Sequence, residues 1–256
     1  MDTPLLSLVR NKIIEYTRYT SQEIIGVYIN ETVHAVTETY GNEIADVLFA
    51  QDQYIKKYNN PDELVVKSNH YNLMMHNRRR KYKIWLGVNA KVAEANHKIA
   101  LKTWPLHYTV KNTRTFKGDG YYIESIPFID GFTLRDVFSK PDYRALDQIR
   151  NIESITNLVA QFVSEFYTED YKNQTICCLD LLPDNLVLPD NSSKLVLIDF
   201  DHIVHVNRNY MLDTISNRFF EYPFTYDDIS CHPWWLEWRN THSNEETVSI
   251  LRSKLK

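Results

Sequence analysis

Three oxygen-bearing side chains, Asp180, Asn185 and Asp199, stand around two apolar runs between Cys178 and Val204. Asp180 opens the stretch Asp-Leu-Leu-Pro-Asp-Asn, which leads into Leu186-Val187-Leu188. Leu195-Val196-Leu197-Ile198 leads into Asp199-Phe200-Asp201. If the two runs fold back on each other, two carboxylates and an amide converge. Such hard oxygen donors suit Mg2+, which is bound through one or two protein groups with substrate phosphates completing its shell. A carboxylate in the same cluster can orient the proton of an attacking hydroxyl. Phosphoryl transfer is one chemistry such a set would suit. Taken alone, Asp180, Pro183 and Asn185 read equally well as a turn between apolar segments. Asp199 shifts the balance, because a charge closing a short buried strand needs a partner.

The elements that must deliver these groups are legible in part. Leu5, Leu6, Val9, Ile13 and Ile14 have helical spacing and predict an N-terminal helix from about Pro4 to Arg18. Val33, Ala35, Thr37 and Thr39 alternate, Ile44 to Phe49 follow, and Tyr54-Ile55-Lys56-Lys57-Tyr58 comes after a polar turn. This texture predicts a three-stranded antiparallel meander over Thr32–Tyr58. Ser68 to Lys83 is polar and basic, with Arg78, Arg79, Arg80 and Lys81 at its centre, and reads as an insertion. Val92 to Leu101 is predicted helical. Tyr121 to Ile129 is a strongly apolar strand, followed by a short helix from Thr133. Ile155, Leu158, Val159, Phe162, Val163 and Phe166 line one face of a long amphipathic helix that leads to Asp180. Ser243 and Glu246 form a capping box for a last helix to Leu255.

Composition limits the function classes. At 256 residues, 43% hydrophobic and 24% charged, the chain suits one domain or two intimate lobes. The net charge of -4 argues against a general nucleic-acid binder, although the basic patch is a local exception. Its three cysteines show neither zinc-site nor disulfide spacing, which points to a reducing compartment. No run approaches the apolar length of a membrane span and the N-terminus does not read as a signal, so the expected location is cytoplasmic.

The Asp180–Asn185 loop followed by Asp199-Phe200-Asp201 resembles the catalytic and metal-binding loops of the protein-kinase-like superfamily. The resemblance is closer to its small-molecule branch, the aminoglycoside and choline kinase-like phosphotransferases. It implies an α+β, two-lobed fold with a small antiparallel-sheet N-lobe (1–129) and an abbreviated, mainly helical C-lobe (130–256). It further implies a catalytic Asp180, with Asn185 and Asp199 holding Mg2+ on ATP. Lys56 would reach the α- and β-phosphates, with Glu94 holding that lysine. The carbonyl of Pro127 and the N–H of Ile129 would face the adenine edge. The acceptor implied is a hydroxyl of a small molecule or saccharide.

The chain also departs from this pattern. A Gly-rich phosphate loop is missing, Cys178 stands where a histidine usually precedes the catalytic Asp, and Leu182 replaces a residue that is commonly basic. Some other cation, Lys56 or an arginine from outside the motif, must then neutralise the transferred group. Only about 55 residues follow Asp199, too few for a full peptide-docking lobe. A kinase-shaped binding protein without turnover is the competing reading. A third is a nucleic-acid module built on Arg78, Arg79, Arg80 and Lys81 with Tyr82 and Trp85 interleaved.

Overall fold

The computed structural model describes residues 4–24, 32–51, 65–68, 72–76, 80–139, 150–166, 168–169, 175–178, 182–190, 192–200 and 203–206, with isolated helical residues between 241 and 253. Helices and antiparallel sheets are both present, the α+β class expected from the sequence. The chain forms two compact units, one of residues 1–95 and 112–128, the other of 96–111 and 129–256.

In the first unit two long helices, α1 (Pro4–Ile24) and α2 (Thr32–Gln51), pack on a five-stranded sheet. Its strands are β1 (Val65–Ser68), β2 (Leu73–His76), β3 (Arg80–Leu86), β4 (Arg114–Gly118) and β5 (Tyr121–Pro127). They lie in the order β1-β2-β3-β5-β4, every pair antiparallel. One sheet face carries Leu73, Met75, Tyr82, Ile84, Leu86 and Ile123. These pack with Val9, Ile13 and Tyr16 of α1 and Ile44 and Leu48 of α2. The residues between them on β3 and β5 point to the other face, since successive side chains alternate. There Trp85 and Tyr122 meet Ala90 and Ala93 of α3 (Gly87–Thr103).

The meander expected over Thr32–Tyr58 is therefore corrected: Thr32–Gln51 is helix, and Lys56 lies outside the described residues. The β-branched alternation at the start of this segment imitates a strand. The buried positions Ile44, Ala45, Leu48 and Phe49 instead repeat at helical spacing, and burying that stripe outweighs local strand propensity. Gly41 lets the two helices close. A Cβ there would stand 2.4 Å from Ile14 Cγ1 and 3.0 Å from its Cα.

The basic insertion expected over Ser68–Lys83 is corrected too, because it contains β2 and the start of β3. Arg80 donates from Nε to Ser125 Oγ at 2.5 Å, and its Nη2 bonds the Ser125 carbonyl and, at 3.1 Å, the Asn112 carbonyl. This arginine clamps sheet backbone, which removes it from any phosphate-gripping patch. Arg78 and Arg79 lie outside the described residues.

The second unit contains α4 (Tyr108–Asn112) up to residue 111, α5 (Leu134–Ser139), α6 (Ile152–Phe166) and two three-stranded sheets. The first sheet runs β10 (Val196–Leu197), β9 (Leu186–Pro189), β6 (Gly131–Thr133). The second runs β11 (Ile203–Val206), β8 (Thr175–Cys178), β7 (Thr168–Glu169). The amphipathic stripe predicted for α6 is buried at Ile155, Val159 and Phe162. At Gly131 a Cβ would stand 2.2 Å from the Leu188 carbonyl, and φ is +157°, so glycine lets β6 lie close against β9. The α5 helix opens on a reciprocal cap. Thr133 N–H donates to Asp136 Oδ2 at 3.0 Å, and Asp136 N–H donates to Thr133 Oγ1 at 3.1 Å. The terminal helix expected from Ser243 lies largely outside the described residues.

Candidate functional site

The two apolar runs that frame the acidic residues fold onto each other. In the hairpin β9–β10, Leu186 faces Leu197 and Val187 faces Val196. One step further, the Ile198 N–H donates to the Asn185 carbonyl at 2.9 Å. Asn185 and Asp199 thus leave the same end of one hairpin. Asn185 closes a single 3-10 turn, Pro183–Asn185, whose last N–H bonds the Leu182 carbonyl at 2.9 Å. Proline suits such a turn because its fixed φ starts a helical turn and its missing N–H is not needed there.

Asp199 is 8% exposed. The hairpin that carries it is held from outside by Thr109 of α4, whose hydroxyl donates to the Leu197 carbonyl at 2.7 Å. Phe200 packs edge-on against His107, with ring centroids 5.4 Å apart, and tilted against Trp104 at 6.1 Å. The carboxylate between these two contacts therefore has its backbone anchored on both sides. An amide oxygen and a carboxylate, the donors available at this hairpin end, are hard ligands of the type that suits Mg2+ when phosphates complete its shell. Among the described residues, no group of three or more His, Cys, Asp or Glu could hold a metal ion by itself.

Asp180 lies outside the described residues. The strand before it, β8, pairs with β11, which follows Asp199 in the chain: Cys178 faces Ile203 and Cys177 faces Val204. Segments on either side of the acidic loops are thus paired in two separate ladders, β8 with β11 and β9 with β10. In the same unit, Arg135 of α5 places Nη1 at 3.1 Å from Asp184 Oδ2 and 3.3 Å from Oδ1.

In the first unit the third strand of the sheet carries Lys83, a residue that sequence reasoning passed over. It is 1% exposed, and it stands directly opposite Glu124 of β5, itself 8% exposed. Opposed residues in an antiparallel ladder share a face, with Cβ atoms roughly 4.5–5.5 Å apart. A buried ammonium needs an anion close by, and the register supplies one. Its Nζ also lies 5.7 Å from the Trp85 ring centroid. The available signal was a charge inside the strand-like run Tyr82-Lys83-Ile84-Trp85-Leu86.

Glu94 sits on α3, as expected, and its Oε1 accepts a bond from Lys117 Nζ of β4 at 3.0 Å. Both residues line a cleft of about 440 Å³ between the start of α3 and the β4–β5 turn. Tyr122 lies beside these acids. Burial, and then the charges of Glu124 and Glu94, push its phenol well up, while a bond with Thr115 opposes the shift. It remains a neutral hydroxyl. Pro127 ends β5 opposite Arg80, Phe128 stacks on His76 at 5.8 Å, and Ile129 follows in the second unit.

No protein-family model matches the chain, and no curated protein sequence is similar to it. It is similar in structure to Plasmodium vivax ethanolamine kinase, at 14% identity and a TM-score of 0.43, over 94% of this chain and 84% of that one. It is also similar to WbdD bound to a kinase inhibitor, at 16% identity and a TM-score of 0.41, over 77% of this chain and 46% of WbdD. A further structure describes WbdD as a bifunctional kinase-methyltransferase. These similar structures are kinases. The aligned region spans less than half of WbdD. Among the described residues, no helix is long and apolar enough to cross a membrane.

Proposed function

We propose that this chain is an ATP- and Mg2+-dependent phosphotransferase that moves a γ-phosphoryl group to a hydroxyl of a small molecule or saccharide. The observation that supports the reading is the Ile198-to-Asn185 backbone bond, from which Asn185 and Asp199 leave one hairpin end. Asn185 and Asp199 hold the ion on the nucleotide phosphates, and Asp180 orients the acceptor hydroxyl. Mg2+ supplies charge neutralisation at the phosphates; the chain supplies position.

Lys83 is the cation we assign to the α- and β-phosphates. It lies on the third strand and is buried opposite Glu124, whereas Lys56 falls outside the described residues. With Glu94 engaged by Lys117, Glu124 takes over the role of holding that lysine. The Pro127 carbonyl and the Ile129 N–H serve the adenine edge. The second reading, a nucleotide-binding scaffold without turnover, is favoured by Cys178 and Leu182 at positions that usually carry histidine and a basic residue.

Thermal unfolding with ATP, with and without Mg2+, tests the proposal on the wild type and on Asp199→Asn. At one hundred times the dissociation constant, ligand stabilises by about 2.7 kcal/mol. For a chain of this size that is a rise of roughly 5–10 °C. A Mg2+-dependent rise that Asp199→Asn abolishes is the expected result. No rise at millimolar MgATP sinks the phosphotransferase reading. A rise without consumption of ATP against a panel of hydroxylated acceptors favours the scaffold.

A further inference from the structure

The loop from Asp180 to Asn185 contains two carboxylates and no cation, because Leu182 occupies the position where a basic residue is common. With Asp199 nearby in the same hairpin system, an incoming phosphoryl group meets an excess of negative charge. Mg2+ offsets part of it. A second cation at the transferred group is still called for, since charge accumulates on its oxygens in the transition state.

We infer that Arg135 is that cation: the structure brings its guanidinium from a separate element to Asp184, the residue before Asn185. This inference rests on the phosphotransferase reading. Three features fix the delivery. First, β6 pairs with β9, Gly131 opposite Pro189 and Thr133 opposite Val187, so the start of α5 is tied to the strand that begins directly after Asn185. Second, the Thr133–Asp136 cap locks the first turn of α5 around Arg135. Third, Leu134 and Val137 are fully buried, which fixes the rotation of α5. Held this way, Arg135 places Nη1 at 3.1 and 3.3 Å from the two Asp184 oxygens. Asp184 is the residue before Asn185, so the guanidinium is docked one residue from a metal-binding position.

The exposure of the pair fits a ligand-facing role. The side chains of Arg135 and Asp184 are 40% and 36% exposed, so a phosphoryl oxygen can reach the guanidinium without unpacking the core. Asp184 acts as the positioning residue. Arginine suits the task because its planar fork presents donors to phosphate oxygens and it stays charged at any working pH. In the transfer itself, the bond between the γ-phosphorus and the β,γ-bridging oxygen breaks and ADP leaves with that oxygen. The acceptor oxygen bonds the phosphorus, and its proton passes to Asp180. Arg135 hydrogen-bonds an equatorial oxygen throughout and changes no bond.

The test uses the full chain, MgADP and aluminium fluoride, which together imitate the phosphoryl group in flight and need no identified acceptor. Thermal unfolding is recorded with MgADP alone and with MgADP plus fluoride for wild type, Arg135→Gln, Arg135→Lys and Asp184→Asn. The wild type gains a further upward shift on adding fluoride. Arg135→Gln keeps the MgADP shift and loses the further one. Arg135→Lys recovers part of it, and Asp184→Asn reduces it. A fluoride-dependent shift retained in Arg135→Gln, or missing from the wild type while MgADP binds, overturns the inference. So does loss of the MgADP shift in Arg135→Gln, which would give Arg135 a role in folding or ground-state binding. If MgADP fails to stabilise even the wild type, the phosphotransferase reading falls first.

Discussion

Replacing Lys83 with methionine probes the most unusual feature of the first unit, a buried ammonium facing a buried carboxylate. Methionine matches the length of the lysine stem, so packing is largely kept while the charge is removed. Glu124 then remains in a site only 8% exposed, without the counter-charge across the ladder. Removing one member of a buried pair costs about 3–5 kcal/mol, because the remaining charge is left uncompensated. At about 2–4 °C per kcal/mol for a chain of this size, Tm falls by roughly 6–20 °C.

Lys83 also loses its contact with Trp85, 5.7 Å from the ring centroid, which is worth about 0.5–2 kcal/mol. That loss occurs whether or not Glu124 is present. It therefore cancels in a double-mutant cycle of Lys83→Met, Glu124→Gln and the double variant, followed by calorimetry or circular dichroism. The double variant is expected to be more stable than the sum of the single losses by about 1–3 kcal/mol, since neither charge is then left alone. Additive losses within about 0.5 kcal/mol would refute the pairing, and with it the argument that β5 holds the lysine.

Two further outcomes follow from the packing and electrostatics of the same unit. Gly41→Ala drives a methyl group into Ile14, 2.4 Å from its Cγ1. Overpacking of this kind costs about 1–3 kcal/mol, and Ile14→Ala in the same chain restores part of it; an unchanged Tm would mean that α1 and α2 cross elsewhere. The Tyr121 phenol is pushed up to about 12, first by burial, then by its 2.9 Å bond to Glu43 and the charge of that carboxylate. The folded chain holds this proton more tightly than the unfolded chain, where a tyrosine titrates near 10. The contribution is therefore intact below about pH 10 and is lost as pH rises toward about 12. Thermal scans from pH 8 to 12 should show a shallower alkaline decline in Tyr121→Phe than in the wild type, and parallel declines would contradict the assignment.

Elements with strong local signals were legible in the chain. The α6 stripe, the N-terminal helix, the strand at Tyr121–Pro127 and the β9–β10 hairpin all follow from periodicity that burial then rewards. That Asn185 and Asp199 leave one hairpin end was legible for a related reason: both apolar runs are short enough that the residues at these ends come together once they pair. Residues 32–51 were misread because a β-branched alternation imitates a strand, and only the packing of Ile44 and Leu48 against Val9 and Ile13 makes the helix the better solution.

The third strand was hidden by its own charge. Arg80, Lys81 and Lys83 read as a solvated run, yet Arg80 is occupied by Ser125 and Asn112, and Lys83 is buried opposite Glu124. That pairing joins residues 41 positions apart, and no local pattern in either segment announces it. Arg135 and Asp184, 49 positions apart, meet only because β6 pairs with β9. By itself, then, the sequence determined which oxygen-bearing residues one hairpin end brings together, because residue type and spacing within one hairpin are local properties. Where Lys83 and Arg135 lie was decided by tertiary structure, because strand register and the burial of charge depend on partners far away along the chain.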